Sequence, residues 1–248
     1  MTTLSASAIC GGYATADFIV KGVDITVAPK DLAVIIGPNG AGKSTFLKLL
    51  AGLLPKRTGD VSIDGIALPA GDAHAACERG ISFVPQERNV FGSLSVQENL
   101  EMGGYLLRSG LKSRIEEQLN RFPMLRGRLR DKAGNLSGGQ RQVLAVAVAL
   151  MTNPSVLLLD EPTAGLSPAA AKEIFVLIRD LAASGLAILM VEQNALLALA
   201  YGTRGVVLVA GKKVRDDAAA SVIEDDEIRH LFLGRAAPAG APTLKHDH

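Results

Sequence analysis

The stretch DLAVIIGPNGAGKSTFLKLLAGLL, residues 31–54, limits what this chain can fold into more than any other. A buried-strand pattern runs straight into Gly37–Ser44, which fits G-x-x-x-x-G-K-[ST], and a helical pattern follows until Pro55. Glycines let successive backbone N–H groups turn inward around an anion, and a helix N-terminus adds partial positive charge at the same spot. Lys43 is placed to reach the outer phosphates of a nucleotide, and Ser44 to bind Mg²⁺. A purely structural glycine turn would not need the strand before it and the helix after it.

The rest of the chain alternates in the same way. Residues 18–27 read as a further strand, set off by Pro29, and DVSIDGIAL predicts a hairpin around Asp64-Gly65. ISFV at 81–84 is a short strand ending at Pro85-Gln86. From Ser93 to Asn135 the texture turns helical. Ser95 and Glu98 have capping-box spacing and start a helix at Val96, LKSRIEEQLNRF continues to Pro123, and the basic MLRGRLRDKAGN reads as a solvated loop. Residues 140–152 form a helical pattern stopped by Pro154, and Ser167-Pro168 opens another that runs to Ala183 and stops at Gly185. VVLVAGKKVR closes as a hairpin and DDEIRHLFL as a short helix. Strands alternating with helices predict an α/β fold with a mostly parallel sheet, whose functional groups gather at the strands' carboxyl ends.

Two apolar strand patterns end on polar residues. SVLLLDE carries Asp160 and Glu161, where bare charge is costly unless it serves a metal or a proton. Asp160 fits a Mg²⁺ ligand and Glu161 a general base for an attacking water. AILMVEQN ends on Glu192, Gln193 and Asn194, of which Glu192 and Asn194 read as strand caps. Between the glycine loop and these ends lies LSGGQ, residues 136–140, whose two glycines after a serine open an apolar helix and offer a second anion site or a simple cap.

Composition narrows the class. At 248 residues with 48% hydrophobic content the chain can bury one large core, and a formal charge of +1 gives no basic field for nucleic acid. Cys10 and Cys77 have no metal-ligand spacing and suit a reducing compartment. The N-terminus shows no secretory signal, and the apolar run at 143–151 is far short of the ~20 residues of a membrane span. A soluble, cytoplasmic protein is expected. The tail from Arg235 is Ala- and Pro-rich and expected to be disordered, with His246 and His248 inert.

The order glycine loop, LSGGQ, then Asp160-Glu161 resembles the ATP-binding cassette ATPases, over residues 4–234. The resemblance implies a P-loop NTPase core with an antiparallel β subdomain and a helical subdomain at about 87–135, all in one domain spanning 1–234. It implies ATP and Mg²⁺, with Gly37, Pro38, Asn39, Gly40, Ala41, Gly42, Lys43, Ser44 and Thr45 around the phosphates and Tyr13 stacked on adenine. Ser44, Gln86 and Asp160 are then the metal ligands, with Glu161, Lys43 and Gln193 catalytic. Ser137, Gly138, Gly139 and Gln140 would contact the γ-phosphate held by a second ATPase subunit, in a homodimer or a heterodimer. Further implied partners are transmembrane permease subunits, docked in a groove for which Phe91 and Leu94 are candidates unless they are core residues, and indirectly a substrate-binding protein. No nucleic acid is expected, and the place is the cytoplasmic face of the inner (cell) membrane.

Three positions depart from the family pattern. Ser167 stands where relatives have an aspartate, Val148 where an arginine is common, and Gln193 where a histidine contacts the γ-phosphate. No histidine lies between His74 and His230 to replace it. A glutamine amide can donate and accept hydrogen bonds but cannot be protonated near neutral pH. VEQN here is similar to the second ATPase subunit of branched-chain amino acid importers, with relatives handling urea and amides, although that branch often has glutamate at Gln86. The competing readings are a soluble ATPase switch outside transport, which usually has two cassettes or coiled-coil insertions, and a weakly hydrolysing scaffold, against which Glu161 argues.

Overall fold

The computed structural model describes residues 2–13, 18–55 and 57–228. Two sheets organise it. Strands β1 (Leu4–Gly11), β2 (Val20–Val27), β4 (Arg57–Ile63) and β5 (Ile66–Ala67) form an antiparallel sheet in the order β2-β1-β4-β5. The larger sheet runs β10-β9-β3-β8-β7-β6, built from β3 (Leu32–Ile36), β6 (Ile81–Val84), β7 (Val156–Asp160), β8 (Ala187–Val191), β9 (Arg204–Val209) and β10 (Lys212–Ala218). All of its pairings are parallel except β10 on β9.

Every residue of β3, β7 and β8 is buried, as their unbroken apolar runs require of strands covered on both faces. Strand alternation divides them between two cores. Ala33, Ile35, Leu158 and Leu189 face α1 (Lys43–Leu50) and the antiparallel sheet, whereas Val34, Leu157, Leu159 and Met190 face α5 (Gly138–Leu150), α6 (Pro168–Ala183) and α7 (Ala195–Tyr201). The remaining helices are α2 (Ala73–Glu78), α3 (Val96–Gly103), α4 (Leu111–Arg121) and α8 (Ala219–Glu224).

Local signals set most boundaries. The Ser95/Glu98 capping box is formed, Ser167 caps α6 by accepting from the Ala170 N–H at 3.3 Å, and Asp64 and Gly65 (φ 51° and 78°) make the hairpin turn. One expectation needs correction. Residues 124–135 are not a loose loop: two 3₁₀ turns, Pro123–Arg128 and Ala133–Asn135, are tied to the start of α3 by Val96 N–H to Asp131 O and Ala133 N–H to Leu94 O. The expected closing helix at 225–233 does begin, with residues 226–228 helical after Asp225 ends the separate helix α8; the rest of it lies outside the described residues, as does the expected disordered tail 235–248. Strand β1 and helices α2 and α7 had no clear sequence signal; β1 is rich in small residues and bulged at Ala8, which sits at φ 50°.

Candidate active site

The glycine loop leaves β3 in a tight space. A Cβ on Gly37 would lie 2.2 Å from the carbonyl oxygen of Leu208 on the neighbouring β9, so only glycine fits there. Gly40 and Gly42 take φ of 79° and 94°, and the Ala41 N–H closes the turn onto Pro38 O at 3.1 Å. Helices α3, α5 and α6 are capped by serine side chains, but α1 starts on Gly42 with no side-chain acceptor. Its first-turn N–H groups have no side-chain cap, as an anion site at a helix start requires. Asn39, Gly40, Ala41, Gly42, Lys43, Ser44, Thr45 and Glu161 line a cavity of about 390 Å³ there.

Lys43 is 6% exposed and folds its ammonium back on the loop, donating to Gly37 O at 2.8 Å and Pro38 O at 3.2 Å. Burial lowers its pKa, opposed by the charges of Glu161 and Asp160. A buried cation with only carbonyl partners, beside free helix N–H groups, fits a polyphosphate. Ser44 Oγ donates to Asp160 Oδ1 at 2.6 Å, across 116 residues of sequence, and Asp160 is 4% exposed with its pKa raised chiefly by burial. Hard oxygen donors of this kind suit Mg²⁺. Among the described residues there is no group of three or more His, Cys, Asp or Glu that could hold a metal ion.

Glu161 follows β7 in a left-handed conformation, φ 46°, with its N–H bonded to Val191 O at 2.9 Å. Gln86, after β6, donates from Nε2 to Glu161 Oε2 at 2.8 Å. Burial pushes the Glu161 carboxyl up, Lys43 pulls it down and Asp160 raises it again. Gln193 is exposed and shares with Glu161 a second cavity, of about 350 Å³. The parallel order β3-β8-β7-β6 is what brings Gly37, Gln193, Glu161 and Gln86 to one edge.

Glu192 does not cap its strand. It is 2% exposed, and its carboxylate accepts the Thr163 N–H at 3.0 Å, the Thr163 hydroxyl at 2.7 Å and the Gln193 N–H at 3.2 Å. Asn194 stands at the N-terminus of α7 and makes no side-chain cap bond. Glu192 was missed because its partner is 29 residues upstream; the only signal was an acid ending a fully apolar run.

The other expected residues lie apart from the phosphate cavity. Ser137, Gly138, Gly139 and Gln140 open α5, where Ser137 and Gln140 cap each other, Ser137 N–H to Gln140 Oε1 at 3.0 Å and Gln140 N–H to Ser137 Oγ at 3.3 Å. None of the four lines that cavity. Tyr13 is 59% exposed and its hydroxyl accepts from Lys48 Nζ at 3.1 Å, with the ammonium 5.6 Å from the ring centroid. Phe91 and Leu94 do not line the apolar cavity between core and helices. Asn99 clamps their loop at the start of α3, accepting the Phe91 N–H and donating to Phe91 O, while that cavity, about 350 Å³, sits at the far end of α3 among Leu53, Phe83, Met102 and Tyr105.

The family model for the ABC transporter matches residues 20–164. The chain belongs to the ABC transporter family. A probable branched-chain amino acid transport ATP-binding protein, LivF from Archaeoglobus fulgidus, is 39% identical over 87% of this chain and 92% of its own length. The lipopolysaccharide export ATP-binding protein LptB from Escherichia coli K12 is 33% identical over 94% and 98%. The crystal structure of an ATP-binding cassette of an ABC transporter in its ADP conformation superposes with TM-score 0.82 at 28% identity, covering 95% of this chain and all of that one. The chain is thus an ABC ATPase subunit that binds and hydrolyses ATP and works with transmembrane subunits. None of its described helices is long and apolar enough to cross a membrane.

Proposed function

We propose that this cassette powers a membrane importer of branched-chain or other small amino acids, or of amides or urea. The observation that carries the reading is the strand end Glu192-Gln193-Asn194, which seats Gln193 in the same cavity as Glu161 where the family pattern has histidine. The higher identity to LivF than to LptB agrees with it. Export is the second reading, favoured by the longer alignment with LptB.

In this reading residues 1–234 are one cassette, with the helical subdomain at about 87–135, seated on the cytoplasmic face of the cell membrane. The backbone of Gly37–Thr45 (Pro38, Asn39 and Ala41 included) and the Lys43 ammonium hold the phosphates, and Tyr13 offers a ring face to adenine. Ser44, Asp160 and Gln86 hold Mg²⁺, which supplies charge neutralisation at the terminal phosphates. Glu161 takes the proton of the attacking water, and its raised pKa makes it a better base than an ordinary glutamate. Gln193 orients water and the terminal phosphate by hydrogen bonding, without titrating. Ser137, Gly138, Gly139 and Gln140 act on the nucleotide of a second ATPase subunit, identical or homologous. The groove of Leu53, Phe83, Met102 and Tyr105 receives the permease, and a substrate-binding protein delivers the cargo.

The test is to purify the chain from membranes with its integral partners and measure ATP-driven uptake in vesicles. Uptake of radiolabelled leucine, another small amino acid or urea, abolished by Glu161→Gln, is the expected result. Co-purification with lipid-export subunits and no uptake would replace import with export. A chain recovered with no integral partner would favour the soluble switch.

A further inference from the structure

The Glu192 carboxylate is matched to donors only. Both oxygens accept, Oε1 from the Thr163 N–H and hydroxyl and Oε2 from the Gln193 N–H. Such a site fits a carboxylate better than an amide, whose NH₂ would confront one of those donors. Burying that charge costs free energy even when it is hydrogen-bonded, and the nearby Glu161 charge adds to the cost by pushing the Glu192 pKa up. A residue that only ended a strand would not need it.

What the carboxylate grips is the loop that begins with the base. The Glu161 N–H is fixed to Val191 O at 2.9 Å, two residues later Thr163 is fixed to Glu192, and one residue further on the Ala164 N–H closes back onto Glu161 O at 3.1 Å. The left-handed backbone of Glu161 is therefore held by Val191, the last residue of β8, and the loop after it by the next residue, Glu192. Strained conformations of this kind persist only where surrounding contacts over-determine them. The same loop carries Leu166, whose Cδ2 would lie 2.9 Å from a Cβ on Gly138 at the head of α5.

We propose that Glu192 is a positioning residue for ATP hydrolysis: it latches the Glu161–Leu166 loop to the end of β8 through Thr163, and sets the backbone of Gln193 in the same stroke. The inference rests on the reading of Glu161 as the base. The test compares Glu192→Gln, Thr163→Val, Thr163→Ser and the Glu192→Gln/Thr163→Val pair with Glu161→Gln, reading kcat, KM for ATP and melting temperature. A latch loosened by a fraction of an ångström should cut kcat about tenfold in either single variant, with KM for ATP within about twofold. The pair should lose less than the product of the two single losses, because both variants act on the Glu192–Thr163 contact, and Thr163→Ser should recover most of the rate lost in Thr163→Val. Wild-type kcat in Glu192→Gln and Thr163→Val, with Glu161→Gln inactive, overturns the latch and leaves the base intact. Fully multiplicative losses in the pair, or a rise in KM at unchanged kcat, overturn it as well. Rapid turnover by Glu161→Gln overturns the reading beneath it. Thr163→Val leaves the carboxylate in place and carries the test by itself should Glu192→Gln not fold.

Discussion

Replacing Gly37 with alanine isolates a single contact. The new Cβ would lie 2.2 Å from Leu208 O and 3.2 Å from the Ala41 Cβ. Ordinary contacts to a Cβ begin near 3.4 Å, so the loop or β9 must move by about 1 Å, and neither is a flexible side-chain tip. Overpacking of this kind costs about 1–3 kcal/mol, which in a domain of this size lowers the melting temperature by roughly 2–12 °C. The displaced loop also re-aims its N–H groups. Losing one charge-assisted hydrogen bond to a phosphate, about 1.5–3 kcal/mol, weakens ATP binding roughly 10- to 100-fold. Gly65→Ala is the matched control: it has φ 78° and nothing within 4 Å, so it carries backbone strain without a clash and lies in the β4–β5 hairpin. It should lose about 1 kcal/mol of stability and keep its affinity. Titration of a fluorescent ATP analogue, with melting curves on the same samples, reads both quantities. Gly37→Ala binding ATP as tightly as the unaltered chain would refute the claim that this close approach sets the phosphate loop.

Lys43→Ala should lose most nucleotide affinity in the same titration, and unchanged binding would count against the phosphate assignment. The Glu161 carboxyl is raised by burial, and a base works only when ionised, so hydrolysis should fall as pH drops through a value above the ordinary glutamate range. Gln193 adds no step of its own to that profile. Gln193→His should introduce one between about pH 6 and 7, and identical profiles for the two proteins would sink the placement of residue 193 at the phosphate.

Much of the site was legible because its parts are local. The glycine loop, the Ser95 capping box, the cap at Ser137, the Asp64-Gly65 turn and the apolar runs of β3, β7 and β8 each depend on residues a few positions apart. Backbone conformation and capping are decided at that range. The basic segment 124–135 defeated the same reasoning, because its 3₁₀ turns are held by hydrogen bonds to α3, which no local pattern announces.

Sequence by itself determined the chemistry available to this protein: an anion loop with a lysine and a serine, two carboxylates at a strand end, and a glutamine where a histidine is expected. Tertiary structure decided which of these meet. The strand order β3-β8-β7-β6 joins Ser44 to Asp160 and Gln86 to Glu161, over 116 and 75 residues. That order also lays the end of β8 beside the loop after β7, turning Glu192 from a strand cap into the anchor of Thr163. Residue types fix what a group can donate, accept or hold. The register of a buried parallel sheet, set by packing on both of its faces, fixes what stands next to it.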